Sequence, residues 1–261
     1  MKKKNPTSQF AVRKRILDGL ETAFSGMKCV HAMWQGGAAA FGRVDAWSDI
    51  DLVLDVDDGK FGKVFSAAES VLNRLHGIER TDEYPVQIVP GAYQKTYRLK
   101  KVTPFLIIEI CLVPHSSKSK LTEREIHGNI IVHFDRSGVT IPPRQDKKAL
   151  KALLTEKKER LINMHEMYGI LVEKELNRGN FVEALAFYNG YSLGILLDLL
   201  RMRYCPARHN FRTRYFYYDL PARIAQKLER LYFVKDAADL ARKHRIARKW
   251  FKEISETITV K

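Results

Sequence analysis

Residues 34–55 read WQGGAAAFGRVDAWSDIDLVLD, and the fold turns on how this stretch changes character. The glycine pair Gly36-Gly37 leads into small residues and Gly42, and Ser48-Asp49-Ile50-Asp51-Leu52-Val53-Leu54 follows. Ahead of the glycines, Cys29 to Trp34 reads as a buried strand. Behind them, Ile50 to Val56 alternates apolar and acidic residues, the period-two pattern of a strand. On such a strand Asp49 and Asp51 point to one face, about 6–7 Å apart at their Cα atoms. Two carboxylates that close repel each other unless a cation lies between them. Mg²⁺ prefers hard oxygens and often works beside substrate phosphates, so the pair suits it. The small residues upstream leave room for a phosphate chain to approach the backbone.

These residues resemble the signature of the nucleotidyltransferase superfamily with the DNA polymerase beta-like fold. That signature is Gly-Ser, a second glycine five residues after the first, and a Ser-Asp-x-Asp strand. Gly37 and Gly42 match the glycines, and Ser48, Asp49 and Asp51 match the rest. Ala38 stands where the family usually has serine, which removes a hydroxyl expected to touch the donor phosphates. The alternative from the residues alone is a polar hairpin with exposed acids. It leaves unexplained why Asp49 and Asp51 interrupt an apolar strand.

A second informative strand is Phe105 to Leu112, FLIIEICL, with Glu109 alone among apolar residues. A buried carboxylate without a partner is costly. Glu109 therefore either has a basic partner, Arg98 being one candidate, or faces the metal site. The resemblance implies the latter, since the family draws a third carboxylate, usually aspartate, from a later strand of the same sheet. Glu109 is then base, ligand or both.

The chain has 261 residues, enough for one large domain or two ordinary ones, and 45% of them are hydrophobic. Its formal charge is +15. Residues 1–141 hold 20 Lys and Arg against 16 Asp and Glu, while residues 142–261 hold 25 against 14, so the surplus sits in the second half. Positive charge attracts phosphate-rich partners without naming one. Lys2-Lys3-Lys4 is a short basic tail. Cys29, Cys111 and Cys205 lack metal-ligand spacing, and their odd number argues against a disulfide scaffold. Ala184 to Leu197 is too short, and too polar at Asn189, for a membrane span. With no signal-peptide pattern, a cytoplasmic protein is expected.

Thr7-Ser8 before Phe10, Val12, Ile16, Leu17 and Leu20 predicts a capped amphipathic helix. Asp57-Asp58-Gly59 reads as a turn and Phe61 to Leu75 as a helix. Val86 to Val89 reads as short and extended. Tyr93 to Lys100 alternates weakly, with Tyr93, Lys95, Tyr97 and Leu99 on one face, and reads as a strand that borders the cleft. Ile130 to Gly138 reads as strand and turn. It is similar to a hairpin that closes the catalytic domain in streptomycin-type and related small-molecule adenylyltransferases. Asp135 is expected to be a turn acid, and His133 has no assigned role. Pro142-Pro143 marks a boundary.

The second half reads as helical. Asp146 to Asn177 forms a long helix, and Gly179-Asn180 breaks it. Asn180 and Glu183 suggest a capping box for a central helix from Phe181 to Leu200, apolar on nearly every side. Gly190 and Gly194, one turn apart, suggest close approach of a helix or ligand. Asp219-Leu220-Pro221 starts another helix, and Asp236 with Asp239 caps the last. Between the central helix and Asp219, Arg201 to Tyr215 is rich in basic and aromatic residues. Arginine forks bind phosphate bidentately, so Arg208, Arg212 and Arg214 are candidate phosphate or acceptor contacts. The alternative is a helix-end linker whose arginines pair with acids of neighbouring helices.

An α+β protein is expected, with an N-terminal mixed sheet and flanking helices (1–141) and a C-terminal helical bundle (142–261) forming the other wall of the cleft. The resemblance, specific over residues 28–56 and architectural beyond Gly138, implies transfer of a nucleoside monophosphate from an NTP, ATP being the family's usual choice, to a small-molecule hydroxyl. Pyrophosphate is released. Asp49, Asp51 and Glu109 would be the catalytic and metal residues, with Mg²⁺ or Mn²⁺. Gly37, Ala38, Gly42 and Ser48 would line the nucleotide. RNA or a nucleotide stands second as acceptor. A non-catalytic nucleotide- or RNA-binding module is the third reading, suggested by Ala38. Membrane association is not expected, and a homo-oligomer is compatible with the sequence.

Overall fold

The computed structural model describes residues 6–258 and their side chains from Gln9 onward; the Lys2-Lys3-Lys4 tail lies outside the described residues. The chain divides into two compact units, Met1–Gln145 and Asp146–Lys261. The first is a mixed sheet flanked by helices and the second a helical bundle, as the α+β expectation required. No described helix is long and apolar enough to cross a membrane.

In the first unit the elements run α1 (Pro6–Ser25), β1 (Val30–Gln35), the single turn α2 (Gly37–Ala40), β2 (Ile50–Val56) and α3 (Phe61–Leu75). Then come β3 (Ile78–Pro85), β4 (Tyr93–Leu99), β5 (Ile107–Pro114), the short α4 (Arg124–His127) and β6 (Ile131–Asp135). The sheet order is β3-β4-β5-β2-β1-β6. Only β2 and β5 run parallel; the other neighbours are antiparallel. The two sheet faces differ. Ile50, Leu52, Leu54 and Val56 of β2 and Ile108, Ile110 and Leu112 of β5 pack on Ile16, Leu20 and Phe24 of α1 and on Val64, Ala68 and Leu72 of α3. Each such buried side chain contributes roughly 1.5–3 kcal/mol. The opposite face carries Trp34, Val53, Cys111 and Val113, covered by Val89 and Ala92 from a loop. Strand alternation puts Asp51 and Glu109 on this loop-covered face.

Two expectations change here. The first helix begins at Pro6, so Thr7 and Ser8 lie in its first turn rather than ahead of it. Val86 to Val89 is a turn closed by Val89 N–H to the Val86 carbonyl at 3.2 Å. The strand before it, β3, has no apolar alternation because it is an exposed edge carrying Glu79, Arg80, Asp82 and Glu83; charged edges of this kind discourage sheet-to-sheet pairing. On β4, Gln94 turns to Glu109 while Tyr97 and Leu99 face the helices. Both are buried in the helix-side core, and Lys95 bridges Glu69 of α3 and Glu83 at 2.8 and 3.1 Å. Asp135 is a turn acid, accepting from the N–H groups of Ser137, Gly138, Val139 and Thr140.

The second unit runs α5 (Lys147–Tyr168), α6 (Ile170–Arg178) and α7 (Phe181–Phe187), a π-helical stretch Tyr188–Gly194, then α8 (Ile195–Tyr204), the short α9 (Phe216–Asp219), α10 (Ala222–Tyr232) and α11 (Ala237–Thr257). The expected long helix is split at Gly169, where a Cβ would lie 2.7 Å from the His165 carbonyl oxygen and 3.1 Å from the Arg248 guanidinium carbon. Asn180 makes no side-chain cap; its amide donates to Glu175 at 2.8 Å instead. The central helix is buried from Leu193 to Met202, but Phe181 and Val182 at its start are exposed. Gly190 and Gly194 fall in the π-helical stretch. A Cβ on Gly190 would meet nothing within 4 Å, so no helix approaches it closely. Asp236 caps α11 as expected, accepting from Asp239 N–H at 2.8 Å.

Candidate active site

The glycine turn and the acids are built together. Beyond β1, Gly36 N–H donates to the Asp51 carbonyl at 3.0 Å. Gly37 has φ +54°, and a Cβ there would sit 1.9 Å from Oδ2 of Asp51. Any side chain at this position would both strain the backbone and displace the carboxylate. Gly42 closes the turn with φ +63°. The Ala38 carbonyl accepts from Phe41 and Arg43 N–H groups at 3.3 and 2.9 Å, so its backbone organises the turn. Gly128, after α4, packs so tightly on Ala40 that a Cβ would lie 2.8 Å from its carbonyl oxygen. A cavity of about 520 Å³ opens here between Phe41, Gly42, Arg124 and Asn129.

Asp51 and Glu109 are register partners across the parallel β2–β5 pair. Both are half-buried, which lowers the desolvation cost the sequence suggested for Glu109. The Glu109 carboxylate accepts from the Gln94 amide at 2.8 Å. Arg98 is not its partner, since it pairs with Glu79 at 3.3 Å. Asp49 precedes β2, and its carboxylate accepts from Ile107 N–H at 3.2 Å. Burial raises the Asp49 pKa, opposed by that hydrogen bond and by Arg13. Arg13, only 6% exposed on α1, donates to the Ser48 and Asp49 carbonyls at 2.5 and 3.0 Å. Burial lowers its own pKa, while Asp51, Asp49 and Asp45 act to raise it. The Ser48 hydroxyl is committed locally, donating to Asp45 at 2.7 Å and accepting from its N–H at 2.9 Å.

Among the described residues no group of three or more His, Cys, Asp or Glu side chains is arranged to hold a metal ion. Asp49 is turned to the β5 backbone and Glu109 to Gln94.

Of the three candidate arginines, Arg208 is claimed by a buried network. Arg201 is fully buried and pairs with Asp219 at 2.8 Å, and Arg208 reaches the other oxygen of the same carboxylate at 2.7 Å. Arg201 also donates to the carbonyls of Arg208, Arg212 and Arg214. This is the pairing the linker alternative described. Arg212 and Arg214 are exposed, and Arg214 lies over the rings of Phe211 and Tyr215.

Arg13 and Gln94 were absent from the sequence-derived set. Arg13 had a signal, because it lies on the same helical stripe as Ile16, Leu20 and Phe24, where a charge needs a partner. Gln94 had none beyond its place on a weakly alternating strand.

No family model matches the sequence, and no match was found among curated proteins. Among solved structures the chain is similar to an aminoglycoside 6-adenyltransferase from Bacillus subtilis, with a TM-score of 0.39 and 11% identity over 93% of this chain and 87% of that one.

Proposed function

We propose that the protein is a metal-dependent nucleotidyltransferase, moving a nucleoside monophosphate from an NTP, ATP first among them, to a hydroxyl of a small molecule. The observation that carries this reading is the packing of the Gly37 backbone against Asp51, with Glu109 beside it in register. Carboxylate oxygens are the donors Mg²⁺ takes, usually alongside substrate phosphates. Asp51, with Asp49 and Glu109, would hold it, and the ion would supply positive charge where the donor phosphates gather. In the reaction the acceptor oxygen bonds to the α-phosphorus, and the bond from that phosphorus to the α–β bridging oxygen breaks. Pyrophosphate leaves, and Glu109 takes the hydroxyl proton. Gly37, Ala38 and Gly42 would present backbone to the phosphate tail, and Ser48 would brace the loop through Asp45.

The test is incubation of the full chain and Mg²⁺ with each labelled NTP, offered a small-metabolite extract and total RNA. Label is expected in the small-molecule fraction and is expected to vanish in Asp51→Asn. Label on RNA 3′ ends would overturn the choice of acceptor. A second reading, a nucleotide-binding module that transfers nothing, rests on Ala38, which gives the glycine turn no hydroxyl to set against the donor phosphates. It predicts nucleotide binding with label in neither fraction.

A further inference from the structure

A second cavity, of about 260 Å³, lies at the start of β2 and β5. Its apolar wall includes Val12 and Leu106, which belong to the helix-side core, so it opens across the sheet from the face of Asp51 and Glu109. Its polar wall is Gln9, Arg13, Lys101, Ser48 and Thr103, with no acid among the described lining residues. Trp47 and Phe105 meet edge to face beside it, with ring centroids 4.8 Å apart. They are 65% and 47% exposed, so core packing does not account for them. Both chain neighbours of Trp47 line the cavity, as does Leu106 next to Phe105.

We propose that this cavity binds a small planar organic anion, an aryl carboxylate in chemical class, with its ring against Trp47 and Phe105 and its carboxylate toward Arg13 and Lys101. Three observations converge on that ligand. Both charged lining residues are cations; Asp51, Asp49 and Asp45 already offset the charge of Arg13, so Lys101 carries most of the selection for negative charge. Arginine carries five N–H donors, and the Ser48 and Asp49 carbonyls take two of them. Two exposed aromatic rings favour a flat partner, through stacked or edge-to-face contact. The volume lies just below the usual range for drug-sized ligands, so it suits a single-ring compound better than a nucleotide. The inference goes beyond nucleotide transfer and does not depend on it. Because Arg13 also holds the Ser48-Asp49 backbone, an occupant would pull on the segment that positions Asp49.

The test uses the full chain without metal or nucleotide, with benzoate, 4-hydroxybenzoate, benzylamine and AMP as probes. Binding is followed by ligand-observed NMR and by quenching of tryptophan emission. Saturable binding of both carboxylates is expected, with little or none for benzylamine. Trp47→Ala should remove most of the emission change. Thr103→Trp and Ala46→Trp, which fill the cavity from two sides, should each weaken carboxylate binding at least roughly tenfold. Arg124→Ala, at the other cavity, should leave it unchanged. Melting curves identify any filler variant that fails to fold, and the remaining one decides. No saturable carboxylate binding, equal binding of benzylamine, or undiminished binding in a folded filler variant would each overturn the proposal. AMP binding more tightly than benzoate and losing affinity with Thr103→Trp would overturn it too, by making the cavity part of a nucleotide site.

Discussion

At Gly37 one missing methyl group decides whether Asp51 keeps its place. Gly37→Ala imposes φ +54° on an alanine and brings its Cβ to 1.9 Å from the Asp51 carboxylate. Backbone strain of this kind costs on the order of 1–3 kcal/mol, and the carboxylate must also move. The variant is expected to melt lower and to lose Mg²⁺-dependent nucleotide affinity by at least roughly tenfold; calorimetry with a non-hydrolysable ATP analogue reads the second effect. Equal affinity would separate the glycine turn from the nucleotide. Glu109→Gln keeps the shape and can still meet Gln94, so its melting temperature should hold. If Glu109 takes the proton, turnover of any accepted substrate should fall roughly 10²-fold or more. Full turnover would leave Glu109 without a part in the proton transfer. Gly37, Gly42 and Asp51 were legible because their relation is one of spacing along a single strand-turn-strand; Asp49 instead stands ahead of the strand expected to carry both acids, bonded to Ile107 N–H. Arg13 and Gln94 were less so, since their meaning lies in Ser48 and Glu109, 35 and 15 residues away.

Among the elements, local pattern gives way where a partner overrides it. Asn180 has the right neighbours for a cap but spends its amide on Glu175. β3 has no hydrophobic period because an edge strand with one neighbour needs none. The helices of the second unit hold the clearest dependence on pH. His165 on α5 is 2% exposed and stacked on Phe251 of α11 at 4.2 Å. Burial pushes its imidazole down to about 4, with Arg248, Lys252 and His244 adding to the shift. Its folded value thus lies below the unfolded one, so between about pH 6.5 and pH 4 the unfolded chain binds the extra proton. Stability should rise with pH across that window and fall as the solution is acidified, by on the order of 3 kcal/mol in full. Urea unfolding at pH 7, 5.5 and 4.5 measures this. His165→Phe should flatten the slope, and an unchanged slope would assign it to other groups, His244 first.

For the molecule as a whole, the +15 charge is a statement about encounters rather than fold. RNA affinity is expected to be weak and to fall steeply from low to physiological salt, as counterion release requires. Affinity that holds across a salt series would point instead to base-reading contacts and revive the RNA acceptor. The division into a sheet unit and a helical unit was readable because hydrophobic period changes from two to nearly four along the chain. The joining of β2 to β5 was not, since strand order is settled by packing on α1 and α3 rather than by either strand alone. That joining has a consequence for how the protein is made. Asp49 meets Ile107 across 58 residues and Arg13 meets Ser48 across 35. A ribosome delivers the glycine turn and both aspartates well before the strand that completes their surroundings. Until β5 emerges, Asp49 lacks the Ile107 N–H that its carboxylate accepts from, and Asp51 lacks its register partner Glu109.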